Sequence, residues 1–191
     1  MKKTNLLLAA AFSMALGSIA MNASACSTVV VGKDVSATGQ IMIGHNEDND
    51  LRIVTSQYWV PAADHKAGEL ITYEPTTAKI PQVAHTYGFY WTQTLHPDGY
   101  SFSDGFVNEN GVAIVTNACT GIYKDDIMPT KDGGIGYGIR RLMAERATSA
   151  RHAVDIAIEL LGKYGYFSEG RTYTIADPNE AWQLAIHQGN T

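Results

Sequence analysis

Residues 23–32 read Ala-Ser-Ala-Cys-Ser-Thr-Val-Val-Val-Gly, and the junction inside this stretch decides what kind of chain follows. Upstream, Lys2 and Lys3 precede an apolar run from Leu6 to Ala20, broken only by Ser13, Gly17 and Ser18. A basic start, a short apolar run and small residues at Ala23 and Ala25 are the parts of a secretory signal peptide cut after Ala25. The run is short for a bilayer span and ends in a cleavage motif, so residues 1–25 are expected to be removed and no stable membrane anchor is expected. Downstream, the β-branched run from Ser27 to Gly32 reads as a buried strand. Cys26 would then open both an exported protein and its first strand.

A cysteine in that place gains a free α-amino group on cleavage. The amine has an ordinary pKa of about 7.7–8.0 and the thiol one of about 8.5. The amine can therefore take the thiol proton, directly or through one water, and no separate histidine base is needed. Three other readings stay open on the residues alone. Cys26 and Cys119 are the only two cysteines, and in an exported protein they could pair as a disulfide. Cys26 could carry a lipid, although Ala23 stands where lipoproteins usually have Leu. It could also be an inert core thiol.

Working outward, Gln40–His45 reads as a second strand, so the chain opens with a hairpin. Gln57–Val60, Glu69–Tyr73 and the aromatic Phe89–Trp91 read as short strands. Tyr100–Val107 and Val112–Thr116 flank Asn108-Glu109-Asn110-Gly111, a turn in which Asn-Gly tolerates positive φ. Ile135, Ile139, Leu142 and Met143 share a helical face, with Gly136 and Gly138 weakening its start. A second helix follows with Ser149 as its N-cap and Ala150, Val154, Ala157, Ile158 and Leu161 on one face. Arg171–Ala176 and Ala181–Ile186 form a last hairpin across Asp177-Pro178-Asn179. The order predicts an α+β fold of mostly antiparallel strands packed on a helix pair.

Two more polar places could serve chemistry. His45-Asn46-Glu47-Asp48-Asn49-Asp50 ends the second strand, alongside Cys26 if the hairpin closes. Asp48 there could hold the α-ammonium, or the stretch could be a solvated loop or a calcium-binding acidic cluster, although it lacks the Gly and Glu spacing of an EF-hand loop. Asn117 ends a strand and could donate to a tetrahedral oxyanion, or simply bond its own loop. The net charge of −5 argues against nucleic-acid partners. The histidines at 45, 65, 85, 96, 152 and 187 are scattered, and no HExxH, CxxC, Walker or GxSxG pattern occurs, so no metal or cofactor is expected. Gly133-Gly134-Ile135-Gly136 reads as a helix entry rather than a phosphate cradle. The sequence leaves oligomeric state open, a homo-oligomer included.

At these residues the chain resembles the dipeptidase A type of N-terminal-nucleophile cysteine peptidases. The resemblance is carried by Cys26 to Lys33, by Gly44-His45-Asn46-Glu47-Asp48-Asn49, and by Asn108-Glu109-Asn110-Gly111-Val112. It continues in Glu145-Arg146-Ala147, Ala150 to Val154, and Ile175 to Trp182. It implies an αββα sandwich, of which residues 26–191 are the N-terminal part, and hydrolysis of dipeptides or short peptides by Cys26. Related bile-salt hydrolases and penicillin V acylases imply roles for Asp48 and Asn117, and for His45, which stands where they have Arg. Their further Asn and Arg would lie past residue 191. An acylase for non-peptide amides, or a non-catalytic exported lipoprotein or binding domain, are the alternatives.

Overall fold

The computed structural model describes residues 26–48, 54–72, 78–95, 101–119, 130–168 and 170–187. The expected leader, residues 1–25, lies outside them, as do Asn49 and Asp50 of the acidic stretch. The chain starts with an antiparallel pair, β1 (Ser27–Val31) and β2 (Met42–Asn46), in which Ser27 faces Asn46 and Val31 faces Met42. Two short pairs follow, β4 (Ala63–Asp64) with β7 (His85–Thr86) and β5 (Leu70–Ile71) with β6 (Ile80–Pro81).

The main body is a six-stranded antiparallel sheet. It is built from β3 (Val54–Val60), β8 (Phe89–Leu95), β9 (Ser101–Asn108), β10 (Ala113–Ala118), β11 (Arg171–Ala176) and β12 (Ala181–Ile186), in the order β12-β11-β10-β9-β8-β3. β3 and β8 run longer than the stretches Gln57–Val60 and Phe89–Trp91 that predicted them, while β11 and β12 have the predicted bounds. Side chains alternate across a strand. In β10, Ile114 and Thr116 are buried on one face, and their partners Ile175 and Tyr173 in β11 are buried with them. That face packs on the helices α1 (Ile139–Arg146) and α2 (Ala150–Tyr164), through Ile139, Leu142 and Met143 of the first and Ala153, Ala157 and Leu161 of the second. Each fully buried Leu or Ile contributes on the order of 1.5–3 kcal/mol. Asn117, one residue out of phase with Thr116, points to the other face, and its hydrogen bond to Thr28 shows that the β1–β2 hairpin lies there. The molecule is thus layered helix, sheet, hairpin.

The second helix matches its reading at the cap and at Ala150, Val154, Ala157 and Leu161, but Ile158 is exposed, and Ile156 and Leu160 are buried in its place. Ser149 accepts from the His152 N–H at 3.1 Å, and Gly165, at φ 75°, caps the other end. The first helix is shorter than the spacing predicted. Ile135 lies outside it and bridges in parallel to Tyr166, because Asp132, Gly133 and Gly134 turn through positive φ values of 53°, 87° and 77°. The hairpin turn also differs: of Asn110 and Gly111 only Gly111 has positive φ, 77°. The register there is fixed instead by Asn108, whose Oδ1 accepts from the N–H groups of Asn110 and Val112 at 3.1 and 3.0 Å. Its Nδ2 donates to the carbonyls of Ala144 and Ala147 at 3.0 and 2.7 Å, so one buried side chain ties the turn to the end of α1.

Candidate active site

Cys26 stands immediately before β1. The pairing of Ser27 with Asn46 puts it opposite Glu47 and beside Asp48. Cys26 and Cys119 are both free thiols, so the disulfide reading is not realised in this structure. The Cys119 sulfur sits 3.3 Å from the Thr172 hydroxyl. Cys26 is partly buried, and that burial pushes its thiol up from the ordinary range. The Glu47 carboxylate, in hydrogen-bonding reach of the sulfur, pushes the same way, because a thiolate beside it would be a second negative charge. Two backbone groups act against them. The N–H groups of Asp48 and Ala118 bond the sulfur and favour its charged form. The end of β2 and the end of β10 therefore converge on one atom.

Asn117 is the residue before Ala118 and shares the site face of the sheet. Its Oδ1 accepts from the Thr28 hydroxyl at 2.5 Å. Thr28 Oγ1 is also 3.0 Å from His45 Nδ1, and His45 Nε2 is 3.1 Å from Glu47 Oε2. Burial alone would raise the Glu47 carboxyl. Its bonds to His45 and Cys26, with the charges of His45 and Arg140, outweigh that and hold it below the ordinary carboxylate range.

Of the four residues singled out from the sequence, Cys26, His45, Asp48 and Asn117 all fall in this cluster. Asp48 reaches Cys26 through its backbone N–H, while the residue as a whole is exposed. Glu47 and Thr28 were missed. Counting the hairpin register outward from Val31 and Met42 would have put Glu47 opposite Cys26, but the connection 32–41 is too long for turn chemistry to set that register. Thr28 carries no sequence signal beyond its β propensity. Other residues of the resembling motifs are scaffolding. Glu145 accepts from Arg141 Nε at 2.9 Å, and Arg146 Nη2 donates to the Pro81 carbonyl and Gln82 Oε1, each at 3.1 Å. Among the described residues, no group of three or more His, Cys, Asp or Glu side chains could hold a metal ion, and no helix is long and apolar enough to cross a membrane.

A cysteine at the head of a strand pair, laid on a sheet whose far face carries helices, is the arrangement of the N-terminal-nucleophile hydrolase fold. Two solved structures share the fold. A mutant conjugated bile acid hydrolase from Clostridium perfringens aligns with TM-score 0.50 and 13% identity over 87% of this chain and 54% of its own. Penicillin V acylase from Agrobacterium tumefaciens aligns with TM-score 0.50 and 13% identity over 86% and 52%. Within that class the chain belongs to Peptidase family C69, whose profile matches residues 25–191. A probable dipeptidase of Latilactobacillus sakei is 29% identical over 177 residues, covering 87% of this chain and 36% of that protein. A probable dipeptidase B of Streptococcus pyogenes serotype M3 is 24% identical over 170 residues, covering 87% and 34%. The chain thus spans about a third of the length of these curated relatives.

Proposed function

We propose that the chain is exported, that cleavage after Ala25 frees Cys26, and that the mature protein hydrolyses the amide bond of dipeptides or short peptides. The observation that carries this reading is the convergence of the Asp48 and Ala118 N–H groups on the Cys26 sulfur, with Asn117 beside them. The family and its probable dipeptidases support peptides as substrates. The acylase likenesses are likenesses of fold and do not choose a substrate.

The raised thiol keeps its proton until a base removes it, and the α-amine that cleavage creates is that base. The thiolate adds to the substrate carbonyl, and the oxyanion takes hydrogen bonds from Asn117 and a backbone N–H. The C–N bond breaks as the ammonium returns its proton to the leaving amine. Water then hydrolyses the thioester and restores the thiol. Asp48 holds the ammonium, and His45 supports the site through Thr28 and Glu47. None of these steps calls for a metal or an organic cofactor.

The test is hydrolysis of unblocked dipeptides by the mature protein and by two variants. Cys26→Ala should abolish turnover, and Cys26→Ser should reduce it by at least about 100-fold, since a hydroxyl is the weaker nucleophile. Full turnover by the alanine variant would rule the reading out.

A further inference from the structure

The side chains of Asn117, Thr28, His45 and Glu47 form one unbroken chain of hydrogen bonds, with steps of 2.5, 3.0 and 3.1 Å. It crosses from the six-stranded sheet to the β1–β2 hairpin, and joins residues 89 apart in sequence. A carboxamide has two ends, an accepting oxygen and a donating NH2. A site that stabilises an oxyanion needs the NH2, and nothing in the covalent structure of asparagine selects it. The Thr28 hydroxyl makes that selection. Its one proton is given to Asn117 Oδ1, which fixes the amide with its oxygen against the hairpin and leaves the NH2 as the end not spent on Thr28. The hydroxyl oxygen then can only accept from His45 Nδ1. Glu47, as a carboxylate, can only accept from His45 Nε2. The chain is complete when the ring donates at both ends, from Nδ1 to the Thr28 hydroxyl and from Nε2 to Glu47.

We propose that Thr28 is a positioning residue for the reaction, orienting the Asn117 carboxamide for the oxyanion, with His45 and Glu47 holding the Thr28 hydroxyl in its donating direction. The inference rests on the proposed function of the same site and adds to it a residue that acts through Asn117. Threonine is well fitted to this role, because β-branching restricts its χ1 on a strand and the hydroxyl direction comes with little loss of freedom.

The experiment is steady-state hydrolysis of a dipeptide by the mature protein, with the variants Thr28→Val, Thr28→Ser, Asn117→Ala and the double variant Thr28→Val/Asn117→Ala. Valine keeps shape and strand propensity and removes the hydroxyl alone, and thermal unfolding of each variant checks the fold. Deleting an oxyanion donor typically costs about 100- to 1,000-fold in kcat, so misdirecting one should cost about 10- to 100-fold. The expected result is that loss in kcat for Thr28→Val with KM within about twofold of wild type, and recovery of most of it in Thr28→Ser. In the Asn117→Ala background, Thr28→Val should add nothing, because the group it orients is gone. Unchanged kcat in Thr28→Val, or a further drop in the double variant as large as in the single one, would overturn the inference while leaving the proposed function standing. A wild-type mature protein without turnover would overturn both.

Discussion

Cys26 meets two opposed influences within hydrogen-bonding distance: burial and the Glu47 carboxylate raise its thiol, while the Asp48 and Ala118 N–H groups favour the thiolate. The sign of the Glu47 effect gives a direct prediction. In a Cys119→Ser background, the rate of Cys26 alkylation by iodoacetamide should rise with pH through a midpoint set by the thiol. Glu47→Gln removes a negative neighbour, so the midpoint should move to lower pH; no movement, or a move upward, contradicts the geometry. The reading of Cys26 rests on local signals: a cleavage motif, a cysteine and a strand are contiguous. Asp48 and Asn117 were legible as polar residues closing strands. Glu47 and Thr28 were not, because their importance depends on hairpin register and on how the hairpin seats on β10, neither of which is written in adjacent residues.

At the level of elements, α2 was readable because its signals agree: an N-cap serine, an apolar face and a glycine end. Its entry is reinforced from afar by Asp177, in the turn between β11 and β12. Asp177 Oδ2 accepts from the Ala150 N–H at 2.7 Å, and Oδ1 accepts from the N–H groups of Asn179 and Glu180 at 2.7 and 3.0 Å. Burial alone would raise this carboxyl, and the three N–H donors outweigh it and hold it below the ordinary range. A carboxyl with a depressed folded pKa stabilises the fold above its unfolded pKa, and that stability is lost as pH falls through the folded value. Asp177→Asn should therefore lower stability near pH 7 by about 1–3 kcal/mol in urea unfolding. The gap should close as pH drops below the ordinary aspartate value of about 3.9. A gap that is constant with pH would show that the charge plays no part. The start of α1 was misread because hydrophobic spacing at Ile135 outlasts the helix. The backbone at Asp132, Gly133 and Gly134, turning through positive φ, feeds Ile135 into a bridge instead.

For the whole molecule, the alternation of strands and helices foretold an α+β chain of antiparallel strands. The layering did not follow from it, since stacking a hairpin on one face and helices on the other depends on contacts far apart in sequence, such as Thr28 with Asn117. Membership of Peptidase family C69 and the fold shared with a conjugated bile acid hydrolase and a penicillin V acylase fit that layering, with Cys26 where hairpin and sheet meet. The central claim is that export itself creates the nucleophile. Intact mass with N-terminal sequencing of the protein secreted from a bacterial host, expressed from the complete gene, tests it most directly. The account predicts a mature chain beginning with unmodified Cys26. A chain that begins elsewhere, or a Cys26 carrying an acyl or diacylglyceryl group, would remove the free amine or the free thiol and contradict it.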